Sequence, residues 1–100
     1  MATTVKALAR TAAATSSTTL YTVPASTTAI ITNIAVTNTA GTAGTFSLSL
    51  DGVSLHTTSA IAANSTVYID LKQALATTKV IAGLASATTI NFHISGIEVS

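Results

Sequence analysis

The apolar residues of this 100-residue chain fall into short runs that alternate with hydroxyl and amide side chains, the period of a β-strand with one buried face. The clearest run sets Phe46, Leu48 and Leu50 against Thr45, Ser47 and Ser49, and leads through Asp51-Gly52 to Val53, Ser54 and Leu55. Asp-Gly between two such runs predicts a hairpin, because a type I′ turn needs positive φ at both central residues. Val67, Ile69 and Leu71 alternate with Thr66, Tyr68, Asp70 and Lys72, and Ile90, Phe92 and Ile94 alternate with Asn91, His93 and Ser95. Within residues 27–38, Ile30, Ile34 and Val36 share one parity with Thr32, while Ile31, Asn33, Ala35 and Thr37 hold the other. That segment predicts a long strand with one well-buried face.

Weaker signals complete the pattern. Val80 to Ala85 reads as a strand, and Leu20 to Val23 as another ended by Pro24, which cannot donate to a ladder. Ser95-Gly96 breaks the parity of the last run, since Ile97 and Val99 fall on the other phase; a bulge or bend at Gly96 is expected to return them to the core side. Val5 to Ala14 has helix propensity but also alternates, and strand is the preferred reading. Asp70 to Ala76 is read as able to form one helical turn. Seven or eight short strands without a long helical pattern predict an all-β fold, an antiparallel β-sandwich or jelly roll. One domain is expected over residues 1–100, with residues 1–16 as an N-terminal arm or edge strand.

Composition sharpens this picture. Ala, Thr and Ser make up about half of the chain and only 7% is charged, against about 25% in an average soluble domain, so the surface must consist of hydroxyls, methyls and a few amides. With a formal net charge of +1, little repulsion keeps copies apart, and much of the surface is expected to be covered in use. Ile, Leu, Val and Phe are plentiful enough for a folded core rather than a disordered tract. The absence of cysteine excludes disulfides and thiolate chemistry. No secretory signal is convincing, and no run approaches the length of a membrane span. Neither a basic cluster nor an aromatic platform suggests nucleic acid or anionic lipid as a partner.

Candidate chemistry is sparse. His56 and His93 both sit on the polar parity of their runs, and Asp51, Asp70 and Glu98 are scattered singly, so a surface or interface role is preferred to metal binding. A symmetric assembly that gathers copies of one histidine would be invisible in the sequence. No nucleophile elbow or phosphate-cradling glycine loop is present, and no enzyme activity or cofactor is expected. Asn64-Ser65-Thr66 fits the glycosylation pattern but reads better as a polar turn into the strand at Val67. The Thr-Thr pairs are irregularly spaced, which argues against both a solenoid and a flat threonine array for ice.

Several stretches together resemble a group of small tailed-phage virion proteins. They are Thr19-Leu20-Tyr21-Thr22-Val23-Pro24, Thr28 to Ile34, Asn38 with Ala43 to Leu48, Ile61 to Thr66, and Asn91 to Glu98. The resemblance implies β-sandwich domains on the outside of phage heads or in tail appendages, often as homotrimers. It carries over no catalytic, cofactor-binding or metal-binding residue. Three functions follow as expectations. The first is a capsid decoration, or cement, protein that binds the major capsid protein on the exterior of a virion after synthesis in the host cytoplasm. The second is a tail or fibre-base component. The third is a carbohydrate-binding module, for which exposed aromatics are few: Tyr21, Tyr68, Phe46 and Phe92, with both Phe on core parity.

Overall fold

Eight strands form in chain order: β1 (Thr3–Ala12), β2 (Thr18–Thr22), β3 (Thr28–Asn38), β4 (Gly44–Leu50), β5 (Val53–Ile61), β6 (Thr66–Leu75), β7 (Val80–Ala85) and β8 (Ile90–Val99). The structure is a computed structural model and describes residues 2–100; of the segment 1–16, Met1 lies outside the described residues. The strands make two four-stranded antiparallel sheets, β1-β8-β3-β6 and β2-β7-β4-β5, packed as a β-sandwich. Every strand of the first sheet runs ten or eleven residues, which at about 3.3 Å per residue makes the molecule long and narrow. It measures 45 × 21 × 18 Å. Val5 to Ala12 is strand, so its alternation prevails over its helix propensity, and it lies at the sheet edge.

The alternating runs deliver the core. Phe46 and Leu48 from one sheet meet Ile34, Val36, Phe92 and Ile94 from the other, all at most 2% exposed, and the Phe46 and Phe92 rings lie edge to face 6.4 Å apart. The hairpin forms as the sequence predicts, with Asp51 at φ 54° and Gly52 at φ 75°. Thr27 and Asn38 are the buried polar residues among those described, and Asn38 is the deeper. Its Nδ2 donates to the carbonyls of Thr42 at 2.8 Å and Ala62 at 3.3 Å, and its Oδ1 accepts from the Ala40 amide at 3.0 Å.

Four sequence expectations are corrected, and register accounts for them. In β3 the ladder skips Thr32, passing from Ile31 to Asn33 while β8 advances by one residue. The buried set therefore changes phase, from Ala29 and Ile31 to Ile34 and Val36, and leaves Ile30 only half-buried. In β8 itself there is no bulge at Gly96. The irregularities lie on its neighbours, where β1 skips Leu8 and β3 skips Thr32, so Ile97 and Val99 are not returned to the core. Asp70 to Leu75 is strand rather than a helical turn, because Asp70, Gln73, Ala74 and Leu75 pair with Asn33, Ile31, Ile30 and Ala29 of β3. The fourth correction concerns His56. Thr57 and Thr58 together oppose Ser47, with Thr58 at φ 47° and its amide donating to Ser47 Oγ at 2.9 Å. The shift sets His56 opposite Leu48 with its ring 5.5 Å from Phe46, off the polar face its parity implied.

Gly96 is required by a close approach of backbone. A Cβ there would lie 2.3 Å from the Ile30 carbonyl oxygen and 3.0 Å from Leu8 Cδ1.

Candidate functional site

The fold disperses the titratable side chains that the sequence singles out. Asp51, in the β4–β5 turn, lies 3.7 Å from Lys79, and Asp70 on β6 lies 3.7 Å from Lys72. Glu98 on β8 accepts from Lys6 of β1 at 3.2 Å and from the Tyr21 hydroxyl of β2. Each carboxylate is thus neutralised by a lysine, while Arg10 has no carboxylate partner among the described residues. His56 and His93 lie in different sheets, and His56 Nδ1 meets Ser59 Oγ at 3.1 Å. No group of three or more His, Cys, Asp or Glu able to hold a metal ion occurs among the described residues.

The Tyr21–Glu98 pair perturbs both groups. The hydrogen bond from Tyr21, with help from Lys6, holds the Glu98 carboxyl below its ordinary range despite partial desolvation. Burial, reinforced by the carboxylate, pushes the Tyr21 hydroxyl well above its ordinary value. This pair ties the two sheets together near the chain termini, where Ala2 and Ser100 exchange backbone hydrogen bonds. Its position makes it a structural clasp.

Two surfaces remain. On the β2-β7-β4-β5 sheet a depression of about 190 Å³ is bordered by Ser17, Ser47, Ser49, Ser54 and Thr57 with His56, a hydroxyl-rich rim without a carboxylate. On the β1-β8-β3-β6 sheet the face away from the core is more distinctive. Directly paired residues share a face, so the register defines rows across all four strands. One row is Arg10, His93, Ala35 and Tyr68, in which Tyr68 is 73% exposed. Another is Val5, Ile97, Ile30 and Ala74, an apolar stripe ending in Val5 at 80% exposed.

Sequence reasoning placed His93 on this face and missed the apolar stripe. The signal was the broken parity after Gly96, which reads as a bulge only if every apolar residue is assumed to point inward. Alternation in fact continues along β8, so Ile97 and Val99 share the outward face of His93.

No protein-family profile and no curated protein matches the chain. Among solved structures it is similar to a pentameric capsid protein isolated from metagenomic phage sequences, with a TM-score of 0.37 and 13% identity over 96% of this chain. The chain spans 59% of that protein's length.

Proposed function

We propose that this chain is a non-enzymatic structural protein of a phage particle, and most specifically a decoration protein that binds the outside of the head and ties neighbouring capsid subunits together. The observation that carries this reading is the strand order of the two sheets, together with the sparsely charged, hydroxyl-rich outer surface of the β2-β7-β4-β5 sheet, which is left to meet the shell. A surface with few charges loses little on desolvation when it is covered. The strand order supports a jelly roll, an eight-stranded double sheet found among viral capsid and lectin domains. Internal pairing of all three carboxylates leaves few charges to steer or screen an encounter, which suits an interface in a crowded particle.

Reconstitution tests the reading. Purified protein is added at low and high salt to expanded heads that lack it, and the particles are imaged by cryo-electron microscopy. Density on the outside of the shell, little altered by salt, together with raised heat resistance of the heads, is the expected result. Density confined to the tail would replace this reading with that of a tail or fibre-base component, and absence from both would sink the virion role.

A further inference from the structure

We propose that the outward face of the β1-β8-β3-β6 sheet is a homodimer interface, on which a second copy packs face to face about a two-fold axis parallel to the strands. The inference concerns the purified chain and does not depend on its place in a virion.

The argument rests on what that axis does to the rows. Rotation about an axis running between β8 and β3 lays β1 of one copy over β6 of the other and β8 over β3, while each row stays on its own level. In an isologous interface every such contact occurs twice. The row Val5, Ile97, Ile30, Ala74 then meets its own reverse: Val5 covers Ala74, and Ile97 packs on Ile30. Large side chains fall on small ones at the edges, with branched aliphatics together at the centre.

The next rows are complementary in the same sense. His93 falls over Ala35, and Arg10, the cation with no carboxylate partner among the described residues, falls over the exposed ring of Tyr68. Asp70 lies one row away on the same strand and adds the opposite charge, with Lys72 beside it at 3.7 Å. Between these rows Ser95 faces Asn33, and beyond them Asn91 faces Thr37, pairs that can exchange hydrogen bonds. Packed sheets lie about 10 Å apart with strands aligned within about 30°, a spacing that interdigitated side chains of this size fill near the axis.

A two-fold axis at right angles to the strands fits less well. Placed through the aliphatic row, it lets that row meet itself but, because the row lies near the strand ends, leaves the row of Arg10 and His93 and those beyond it uncovered; placed at mid-sheet, it lays the aliphatic row over the one with Arg10 and His93. The register therefore selects both the partner and the operator. This proposal differs from the homotrimer that the family resemblance implies, and the mass in solution decides between them.

Sedimentation equilibrium and cross-linking of the full chain test this. The expected mass is about twice the 10.0 kDa of one chain. Val5→Asp, at an exposed edge position where misfolding is not expected, should weaken dimerisation at least tenfold without changing the circular dichroism, and Ile97→Asp should abolish it. The chain has no cysteine, so a bis-maleimide with a reach of about 10 Å, the spacing of packed sheets, should join Val5→Cys protein to Ala74→Cys protein and join neither variant to itself. A monomer at all concentrations, a trimer, or a dimer indifferent to Val5→Asp would each overturn the proposal. So would the absence of the mixed cross-link.

Discussion

The Tyr21 hydroxyl of β2 donates to the Glu98 carboxylate of β8, joining the two sheets through a single side-chain hydrogen bond. Lys6 approaches the other carboxylate oxygen at 3.2 Å, so the carboxylate has a partner on each oxygen. The pair makes stability depend on pH at both ends. Glu98 titrates below its ordinary value in the folded state, so its contribution is present above the ordinary carboxylate range and is lost as pH falls through the lowered pKa. Tyr21 titrates above 10.0 when folded, so its contribution is present below that pH and is lost as pH rises beyond it. Tyr21→Phe should flatten both limbs of a plot of melting temperature against pH and return the Glu98 carboxyl toward its ordinary range in an NMR titration. An unchanged Glu98 titration would show that Lys6 alone sets it.

Gly96→Ala should cost at least about 2 kcal/mol, because the new methyl meets the Ile30 carbonyl oxygen at 2.3 Å and two paired strands would have to separate to admit it. Gly41→Ala is the control, with nothing within 4 Å of its Cβ and no positive φ, and should stay within about 0.5 kcal/mol. Urea denaturation of both variants measures the difference.

Asn38→Ala should destabilise by about 2–3 kcal/mol, since it strips partners from the Ala40 amide and from the Thr42 and Ala62 carbonyls together. Amide hydrogen exchange should show faster opening of residues 38–44 in particular. A uniform change across the chain would assign Asn38 to the global core instead.

Phe92→Ala should cost about 3–5 kcal/mol and Ile94→Val about 1 kcal/mol, because both side chains are fully buried between the sheets. Asn91→Ala, on the opposite face of β8, should cost much less. Chemical denaturation ranks the three, and the reverse order would contradict the facing of β8.

Much of this molecule was legible one strand at a time. Strict alternation at Phe46, Leu48 and Leu50 and at Ile90, Phe92 and Ile94 names buried faces, because side chains on an extended backbone point in opposite directions at successive residues. The Asp51-Gly52 turn was equally readable, since positive φ is a local demand met by local chemistry.

Tertiary structure decided everything that depends on register between strands. A bulge is an agreement between two neighbours about which residue to skip, and no single strand encodes it. Skipping Thr32 exchanges Ile30 for Ile31 in the core, and the shift at Thr57 and Thr58 carries His56 from the polar face to Phe46. Conversely, the unbroken alternation of β8 turns Ile97 outward, where pairing with β1 and β3 assembles it with Val5 and Ile30. The sequence alone therefore determined that these aliphatic residues exist and how they alternate. Only the pairing of distant strands, residues 5, 30, 74 and 97 brought into one row, determined that they form a surface.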